Sequence, residues 1–287
     1  MLFASCESRV NASVLEEKTW KVGAYTVAKK RFNWKGEDSG AIEVSLHGKQ
    51  LLRRQAHDVW VWTKGENGEF VEAENQNKLS LSDLNGDGVP DFVVRQWSGG
   101  AYCCYTYEIF SMSPDCKRLW HNEAGCAHLK IIEPRSTAPK ANAGTSEGKC
   151  LKPRRSPATL AMEDGSFLYW RTHTLQGPRP IVYFTGGKNG FTFNRFKTLK
   201  PTNQARLAKL MNQSWSEESE AFFIQLVYTG NAQDALTMLN KLEPSERTEF
   251  ARSFMDVFRK SPFYYRIVEL NSKSAIAKLQ RLSTKPT

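Results

Sequence analysis

Two periods of apolar residues divide this chain into a strand-rich part and a helical part. Between residues 17 and 200, short apolar alternations are separated by turn residues, which is the pattern of half-buried strands. From Pro201 onward, apolar side chains recur at helical spacing instead. The sequence therefore predicts an α+β protein, in which an N-terminal all-β domain, propeller-like or sandwich-like, precedes a small C-terminal helical subdomain.

The predicted strands are short apolar runs or alternations bounded by turn signals. They are residues 41–46, 59–62, 70–71, 92–94, 105–112, 167–170, 181–184 and 191–193. Residues 65–68 carry two glycines around Glu-Asn and predict a hairpin turn, and the glycine-rich residues 186–190 predict another turn. Residues 134–158 interrupt the series with prolines among small and basic residues, which predicts a long exposed insertion.

Helix boundaries in the last third of the chain follow from capping and stop signals. Ser214 and Glu217 have the spacing of a capping box and predict the start of a helix. Gly230 is placed to end that helix, and Asn231 is placed to cap the next one. Pro244 predicts a further helix start. We expect these helices to form a packing module.

These patterns predict three segments along the chain. Residues 1–16 form a leader or tether, residues 17–200 a β-rich calcium-binding domain, and residues 201–287 the helical subdomain. The small residues before Cys6 resemble the end of a bacterial lipoprotein signal, in which the cysteine becomes lipidated. Cys6 is therefore either a lipid-anchor site or an ordinary cysteine.

Residues 83–91 read Asp-Leu-Asn-Gly-Asp-Gly-Val-Pro-Asp and predict a calcium-binding loop. Ca²⁺ prefers six to eight oxygen ligands in flexible geometry. The predicted ligands occupy positions 1, 3, 5, 7 and 9 and are Asp83, Asn85, Asp87, the backbone carbonyl of Val89, and Asp91. Gly86 and Gly88 permit the tight turn. Because three nearby carboxylates repel one another, we expect Ca²⁺ as the cofactor.

This loop is not an EF-hand, because position 12 is Val94 instead of a bidentate glutamate and a strand follows it. Residues 83–94 resemble the calcium loops of FG-GAP/VCBS-type repeats, which occur in integrin-like propellers and bacterial extracytoplasmic proteins. Residues 98–107 resemble the Ser-Gly-Gly-Ala-His-Cys-Cys signature of uncharacterised proteobacterial periplasmic proteins and lipoproteins, with Tyr102 in place of the histidine.

The resemblance covers most of residues 40–270 and implies a periplasmic or outer-membrane-associated protein. Proteins of that group often carry a second Asp-rich loop before a strand containing Tyr-Trp. Here residues 161–170 keep the predicted strand, but only Glu163 and Asp164 remain of the loop. We therefore predict one calcium site, not two.

Five of the six cysteines fall within 48 residues, which predicts disulfides and an oxidising compartment. The disulfide candidates are Cys103, Cys104, Cys116, Cys126 and Cys150, and the sequence leaves their pairing open. Cys116 and Cys126, with His121 and His128, also have the ligand types of a zinc site. Their spacing matches no recognised zinc motif, so disulfides with surface histidines are the preferred interpretation.

The formal net charge is +10, and the basic residues are scattered along the chain. The densest cluster, Lys149 to Arg155, lies in the Pro/Ser/Ala-rich insertion, so no nucleic-acid partner is predicted. A basic surface suits an acidic protein or an anionic envelope polymer. No apolar run approaches the roughly 18–20 residues of a transmembrane segment, so a lipid anchor is the only membrane attachment considered.

Two functional hypotheses remain. The preferred one is a non-enzymatic extracytoplasmic Ca²⁺-binding protein that binds a protein or envelope partner, such as an immunity protein that inhibits a secreted toxin. The alternative is an envelope-acting hydrolase, which requires a perturbed carboxylate or a Cys/His pair in a pocket. A groove for carbohydrate or peptide could involve the tryptophans of the strand-rich part, although core packing is the default for Trp60, Trp62, Trp97, Trp120 and Trp170.

Overall fold

The computed structural model describes residues 13–34, 37–65, 69–100, 103–134, 156–171 and 176–284. Within these ranges, three antiparallel sheets precede seven α-helices. The α+β class predicted from the change of period is therefore confirmed. The last strand ends at Phe193 and the first helix begins at Arg195, close to the change of period at Pro201.

The first two sheets are built from the first nine strands. The first sheet has the order β1-β2-β3-β4, and the second has the order β6-β5-β7-β8-β9. Their strands are β1 Ser13–Val22, β2 Tyr25–Trp34, β3 Glu37–Leu46, β4 Lys49–Ala56, β5 Asp58–Lys64, β6 Phe70–Glu72, β7 Asp91–Gly100, β8 Cys103–Ser111 and β9 Arg118–Gly125. The pairing of β5 with β6 confirms the hairpin predicted around residues 65–68.

One hydrophobic core joins these two sheets. The first sheet contributes Val27 and Ile42, and the second contributes Val61, Phe92 and Phe110, all nearly excluded from solvent. Alternate residues of β5 are buried, because successive side chains of a strand point to opposite faces of its sheet. The alternation of residues along β5 therefore marks the face of the sheet that packs in the core.

The third sheet is a simple meander, and the helices follow it. Its order is β10-β11-β12-β13, and each strand pairs with the next. The elements are β10 Leu129–Ile132, β11 Thr159–Glu163, β12 Ile181–Gly187, β13 Gly190–Phe193, α1 Arg195–Thr198, α2 Gln204–Met211, α3 Glu217–Tyr228, α4 Ala232–Leu239, α5 Pro244–Phe258, α6 Tyr264–Leu270 and α7 Lys273–Ser283.

The chain divides into two compact units at a position that the sequence did not indicate. Unit 1 comprises Met1–Leu84 and Gly88–Asn122, and unit 2 comprises Asn85–Asp87 and Glu123–Thr287. Unit 2 therefore contains the third sheet together with all of the described α-helices. The boundaries predicted from the sequence, at residues 16 and 200, follow the change of secondary structure and stay a prediction about domains.

The strand predicted at residues 167–170 is wrong. Gly165–Phe167 forms a 3₁₀ helix, and residues up to Arg171 continue as a turn. The side chain of Asp164 accepts a hydrogen bond from the Ser166 N–H and thereby starts that helix. Phe167 and Trp170 are three residues apart, so the turn brings both rings against Phe254. The apolar run follows a helical period instead of a strand period.

One predicted helix cap is wrong, and a second is confirmed in its position but not in its side-chain hydrogen bond. Ser216, not Ser214, caps α3 by accepting a hydrogen bond from the Ser219 N–H. Asn231 precedes α4 as predicted, but its side-chain amide donates to the Lys200 carbonyl instead of capping that helix. A capping box does occur at Glu243, and it was missed because a glutamate occupies the place of the usual serine or threonine.

Candidate functional site

The backbone closes the 83–91 loop at its base, where the loop leads into β7. The Asp91 N–H donates to the Ser82 carbonyl at 2.8 Å, and these two residues form an isolated antiparallel bridge. β7 lies between β5 and β8 in the second sheet. The loop therefore leads directly into a strand, as the sequence predicted, and the sheet order shows that this strand is central.

The predicted ligand side chains accept or donate hydrogen bonds inside the loop itself. Asp83 Oδ2 accepts from the Gly88 N–H at 2.9 Å, and Asp91 Oδ2 accepts from the Leu84 N–H at 2.8 Å. Asn85 Oδ1 accepts from the Asp87 N–H at 3.1 Å. Each of these contacts returns a side chain to the backbone of its own loop.

The predicted ligands differ sharply in how far they are buried. Asp91 is 1% exposed and Asn85 is 2% exposed, whereas Asp87 is exposed to solvent. A buried carboxylate requires compensation by hydrogen bonds or a cation, because removing it from water is costly. Asp87, in contrast, is open to solvent, and its Oδ2 accepts a hydrogen bond from Asn85 Nδ2 at 2.9 Å. This difference makes Asp87 the better position for testing metal binding.

Gly86 and Gly88 adopt the conformation for which the sequence required glycine. Their φ angles are 77° and 93°, in the left-handed region that side chains with a Cβ rarely adopt. A Cβ built on Gly88 would have no heavy atom within 4 Å. A larger residue at this position would therefore meet backbone strain and no steric clash.

We expect Gly88→Ala to lower the free energy of unfolding by about 1–2 kcal/mol through backbone strain alone. Gly88→Asn should cost less, because asparagine tolerates the left-handed region better than alanine. Urea denaturation of the two variants and the wild type measures this difference. Equal stability of the wild type and the alanine variant would show that the loop does not hold this conformation.

The donor set fits a hard cation such as Ca²⁺. It offers three carboxylates, one amide oxygen and the carbonyl of Val89, and all of these ligands are oxygens. Within the described ranges, no three His, Cys, Asp or Glu side chains are grouped as ligands of one metal ion. Ion binding would therefore draw the aspartates together. Each carboxylate has about four lone-pair sites, so one accepted N–H bond leaves capacity for a cation.

Asp164, at the position where the resemblance would place a second loop, is bound by protein hydroxyls. Its Oδ2 accepts hydrogen bonds from the hydroxyls of Tyr228 and Ser261, and its Oδ1 accepts from the Ser166 N–H at 2.8 Å. Asp164 and Tyr228 are each 1% exposed. We call these three side chains, Asp164, Tyr228 and Ser261, the carboxylate brace of unit 2. They connect the end of β11 to the helices.

The carboxylate brace has a consequence at alkaline pH. Burial, together with the negative charge of Asp164, raises the pKa of Tyr228 well above its ordinary value of 10.0. Above about pH 10, tyrosine ionises in the unfolded chain but stays protonated in the fold, so stability falls as pH rises. We expect the wild type to lose more stability than Tyr228→Phe between about pH 8 and about pH 10.5. Urea denaturation of both proteins at the two pH values tests this expectation. Equal losses of stability in the wild type and Tyr228→Phe would contradict it.

The cysteine prediction is partly wrong. Cys116 and Cys126 are free thiols, so these two candidates do not form the predicted disulfides. Cys104 is disulfide-bonded, and its pairing stays open. The side chain of Cys103 and residues Cys6 and Cys150 lie outside the described part of the chain, as does nearly all of the insertion predicted at residues 134–158.

Neither free thiol has the environment of a reactive cysteine. Burial raises the pKa of Cys116 to about 11 and also raises that of Cys126. A nucleophilic cysteine needs the opposite shift, because the thiolate is the active form. Of the zinc candidates, His121 Nδ1 lies 3.5 Å from a carboxylate oxygen of Glu108.

Glu108 is the centre of a polar cluster that the sequence did not predict. Its side chain is 3% exposed. Arg54 Nε donates to its Oε2 at 2.6 Å, Gln96 Nε2 donates to the same oxygen at 2.9 Å, and Arg118 Nη1 donates to Oε1 at 3.1 Å. We call this group the Glu108 cluster. Its residues come from β4, β7, β8 and β9, so only the sheet order brings them together.

The tryptophans separate into a core set and a sheet-face set. Trp170 and Trp120 are buried, as expected for core packing. Trp60 and Trp62 are partly exposed on β5, and the Arg95 guanidinium lies over their rings at 4.3 Å and 5.6 Å. The same guanidinium lies 4.9 Å from the ring of Tyr105. Cation–π contacts therefore order this face of the second sheet.

None of the helices in the described ranges has the length and apolar character needed to cross a bilayer. Comparisons with models of protein families, with curated proteins and with solved structures found no match.

Proposed function

We infer that this chain is a non-enzymatic extracytoplasmic binding protein that Ca²⁺ stabilises through the 83–91 loop. The observation that carries this proposal is the combination of an all-oxygen donor set with left-handed glycines at positions 4 and 6 of the loop. That combination suits a hard cation. Ca²⁺ would be held by Asp83, Asn85, Asp87, the carbonyl of Val89, and Asp91.

The proposed role of the ion is to fix the start of β7. Asp91 is both the last predicted ligand and the first residue of that strand. An ion that holds Asp91 would therefore help to hold the register of β7 against its neighbours β5 and β8. Extracellular calcium modules bind at about 10⁻⁴–10⁻³ M, which would make this protein sensitive to the calcium level of its compartment.

The proposed partner is a protein or an anionic envelope polymer, and one specific version is a secreted toxin that the chain inhibits. The net charge of +10 suits such a partner. The shared core of the first two sheets supports the sandwich-like version of the fold for unit 1. Location in the periplasm or at the outer membrane, with Cys6 as a lipid anchor, belongs to the same proposal.

Calcium is expected to raise the melting temperature of the wild type and to leave that of Asp87→Ala almost unchanged. At a Ca²⁺ concentration of 100 times Kd, binding adds about 2.7 kcal/mol to the free energy of unfolding. Asp87 is exposed, but its removal also takes away the acceptor of the Asn85 Nδ2 hydrogen bond, so each protein is compared with itself in Ca²⁺ and in EDTA. Thermal unfolding of both proteins in Ca²⁺ and in EDTA provides the measurement.

Asp38→Ala is the matched control, because Asp38 is an exposed aspartate on β3 outside the loop. This variant should respond to Ca²⁺ as the wild type does. If EDTA leaves the wild-type melting temperature unchanged, the calcium proposal fails. If Asp87→Ala gains as much stability from Ca²⁺ as the wild type, the ion binds elsewhere.

The partner is tested by affinity capture from the native envelope, followed by mass spectrometry, in Ca²⁺ and in EDTA. The proposal expects one abundant partner that is retained in Ca²⁺ and reduced in EDTA. Capture should fall with Asp87→Ala and stay the same with Asp38→Ala. The absence of any specific partner under both conditions would contradict the binding function.

A further inference from the structure

Strand β1 forms one edge of the first sheet. Within the described ranges it pairs with β2 alone, and its 10 residues make it the longest of the described edge strands. The N–H and C=O groups along the edge of a sheet can pair with a strand of another chain. None of the residues of β1 belongs to the 83–91 loop, so an inference drawn from this edge is independent of the calcium proposal.

The pairing of β1 with β2 determines which backbone groups of β1 point to the outside of the sheet. Val22 and Tyr25 close a two-residue hairpin, and the closing residues of such a hairpin are hydrogen-bonded to each other. Hydrogen-bonded and non-hydrogen-bonded pairs then alternate along antiparallel strands. The N–H and C=O groups of Lys21, Thr19 and Glu17 therefore point away from β2.

The side chains of the same three residues lie on the exposed face of β1. Glu17 lies opposite Lys30 of β2, but the Lys30 ammonium donates to Glu43 Oε2 at 2.7 Å. Lys21 Nζ donates to a neutral acceptor, the hydroxyl of a threonine on β2, at 2.6 Å. The exposed face of β1 thus carries a negative charge at Glu17 and a positive charge at Lys21, with Thr19 midway between them.

The opposite face of β1 holds the strand in place. Trp20 is 3% exposed, and its Nε1 donates to the Gln76 carbonyl at 3.0 Å. Lys18, two residues earlier on the same face, donates to the Glu74 carbonyl. The strand is therefore already extended and fixed, which lowers the entropic cost of pairing with a partner strand.

We propose that two copies of this chain associate by pairing β1 with β1 in antiparallel orientation, with the two-fold axis at Thr19. The first sheets of the two copies then form one continuous sheet. Glu17 lies opposite Lys21 of the second copy, Lys21 lies opposite Glu17 of the second copy, and the two Thr19 side chains face each other. Opposite charges and threonine pairs in these positions stabilise antiparallel strands, and a two-fold axis provides each contact twice.

The charges of β1 favour this register over its neighbours. An axis at residue 17 would place Glu17 against Glu17, and an axis at residue 21 would place Lys21 against Lys21. An axis at residue 18 or 20 would leave both charges opposite uncharged residues. Charged side chains usually protect an edge strand from association, but here the two signs complement each other at one register.

The other edge of the first sheet lacks this complementarity. Strand β4 carries three basic residues and no acidic residue, so a two-fold pairing of β4 with itself would bring positive charges together. The second copy is therefore expected at β1 and not at β4.

Sedimentation equilibrium of the full chain, from about 1 µM to about 300 µM, tests the proposal. We expect the mass of one chain, 32.6 kDa, at the lowest concentration and a rise towards the mass of two chains. Lys21→Glu should weaken dimerisation by at least about tenfold, because both opposite-charge pairs become glutamate pairs. Glu17→Lys should weaken it similarly, because both pairs become lysine pairs.

The two charge reversals also rescue each other. An equal mixture of Glu17→Lys and Lys21→Glu should form a mixed dimer with nearly the affinity of the wild type, and the double variant should associate with itself as the wild type does. Lys49→Glu is the matched control, because Lys49 is an exposed lysine on β4. This variant should also associate as the wild type does.

Circular dichroism of each variant confirms that it is folded. A single-chain mass for the wild type at every concentration would overturn the proposal. A dimer that neither charge reversal weakens would show that the copies associate through another surface, which also overturns it. The same holds if neither the mixture nor the double variant restores the dimer.

Discussion

Replacing Asp164 with alanine is expected to lower the free energy of unfolding by about 3–5 kcal/mol. The carboxylate accepts two hydroxyl hydrogen bonds and one backbone N–H bond in a site that water does not reach. Its removal leaves the buried hydroxyls of Tyr228 and Ser261 without this acceptor. Unsatisfied buried donors cost about 1–3 kcal/mol each.

Urea denaturation of Asp164→Ala provides the measurement, and Asp256→Ala is its control. Asp256 is an exposed aspartate on α5 in the same unit, so its removal should change stability by less than about 0.5 kcal/mol. A double-mutant cycle with Tyr228→Phe measures the direct coupling of the two side chains. If both aspartate variants have the stability of the wild type, Asp164 does not connect β11 to the helices.

Glu108→Ala is expected to lower the free energy of unfolding by about 2–4 kcal/mol. Glu108 is almost completely buried, and it accepts charged or amide N–H donors from three other strands. Its removal leaves the guanidinium of Arg54 without its main acceptor. The expected loss of stability is smaller than for a fully buried ion pair, because Arg54 and Arg118 remain partly exposed and can be hydrated.

The matched control for this prediction is Glu16→Ala, at a surface ion pair of the same unit. Glu16 lies 3.8 Å from Arg31, and both side chains are largely exposed. Surface pairs of this kind contribute about 0–1 kcal/mol. Guanidinium chloride would screen these charges, so urea is the appropriate denaturant. Equal losses of stability for Glu108→Ala and Glu16→Ala would show that the buried Glu108 stabilises the fold no more than a surface glutamate does.

The local period of apolar residues predicted β3, β5, β6, β7, β8, β12 and β13, because each of these strands depends on a few neighbouring residues. It did not predict β1, β2, β4, β9, β10 or β11. The strand at residues 59–62 and the helix that begins at Pro244 both follow from patterns within one element. The run at residues 167–170 was misassigned, since its conformation is set by Asp164 and by packing on Phe254. Those partners are distant in sequence, so no local pattern identifies them.

The candidate sites differ in the same way. The 83–91 loop could be identified from the sequence, because all of its predicted ligands are adjacent and its glycines must adopt positive φ angles. The Glu108 cluster and the carboxylate brace could not, because their residues come from separate strands and helices. Cys116 and Cys126 show the opposite error. Their closeness in sequence indicated disulfides, but the fold leaves both as free thiols.

Calorimetric titration of the metal-free chain with Ca²⁺ tests the central claim most directly. The account predicts one ion per chain in the wild type, with a Kd of about 10⁻⁴–10⁻³ M. Asp87→Ala should bind at least about tenfold more weakly, and Asp38→Ala should bind as the wild type does. The absence of binding by the wild type, or equal binding by the wild type and Asp87→Ala, would contradict the assignment of residues 83–91 as a calcium site.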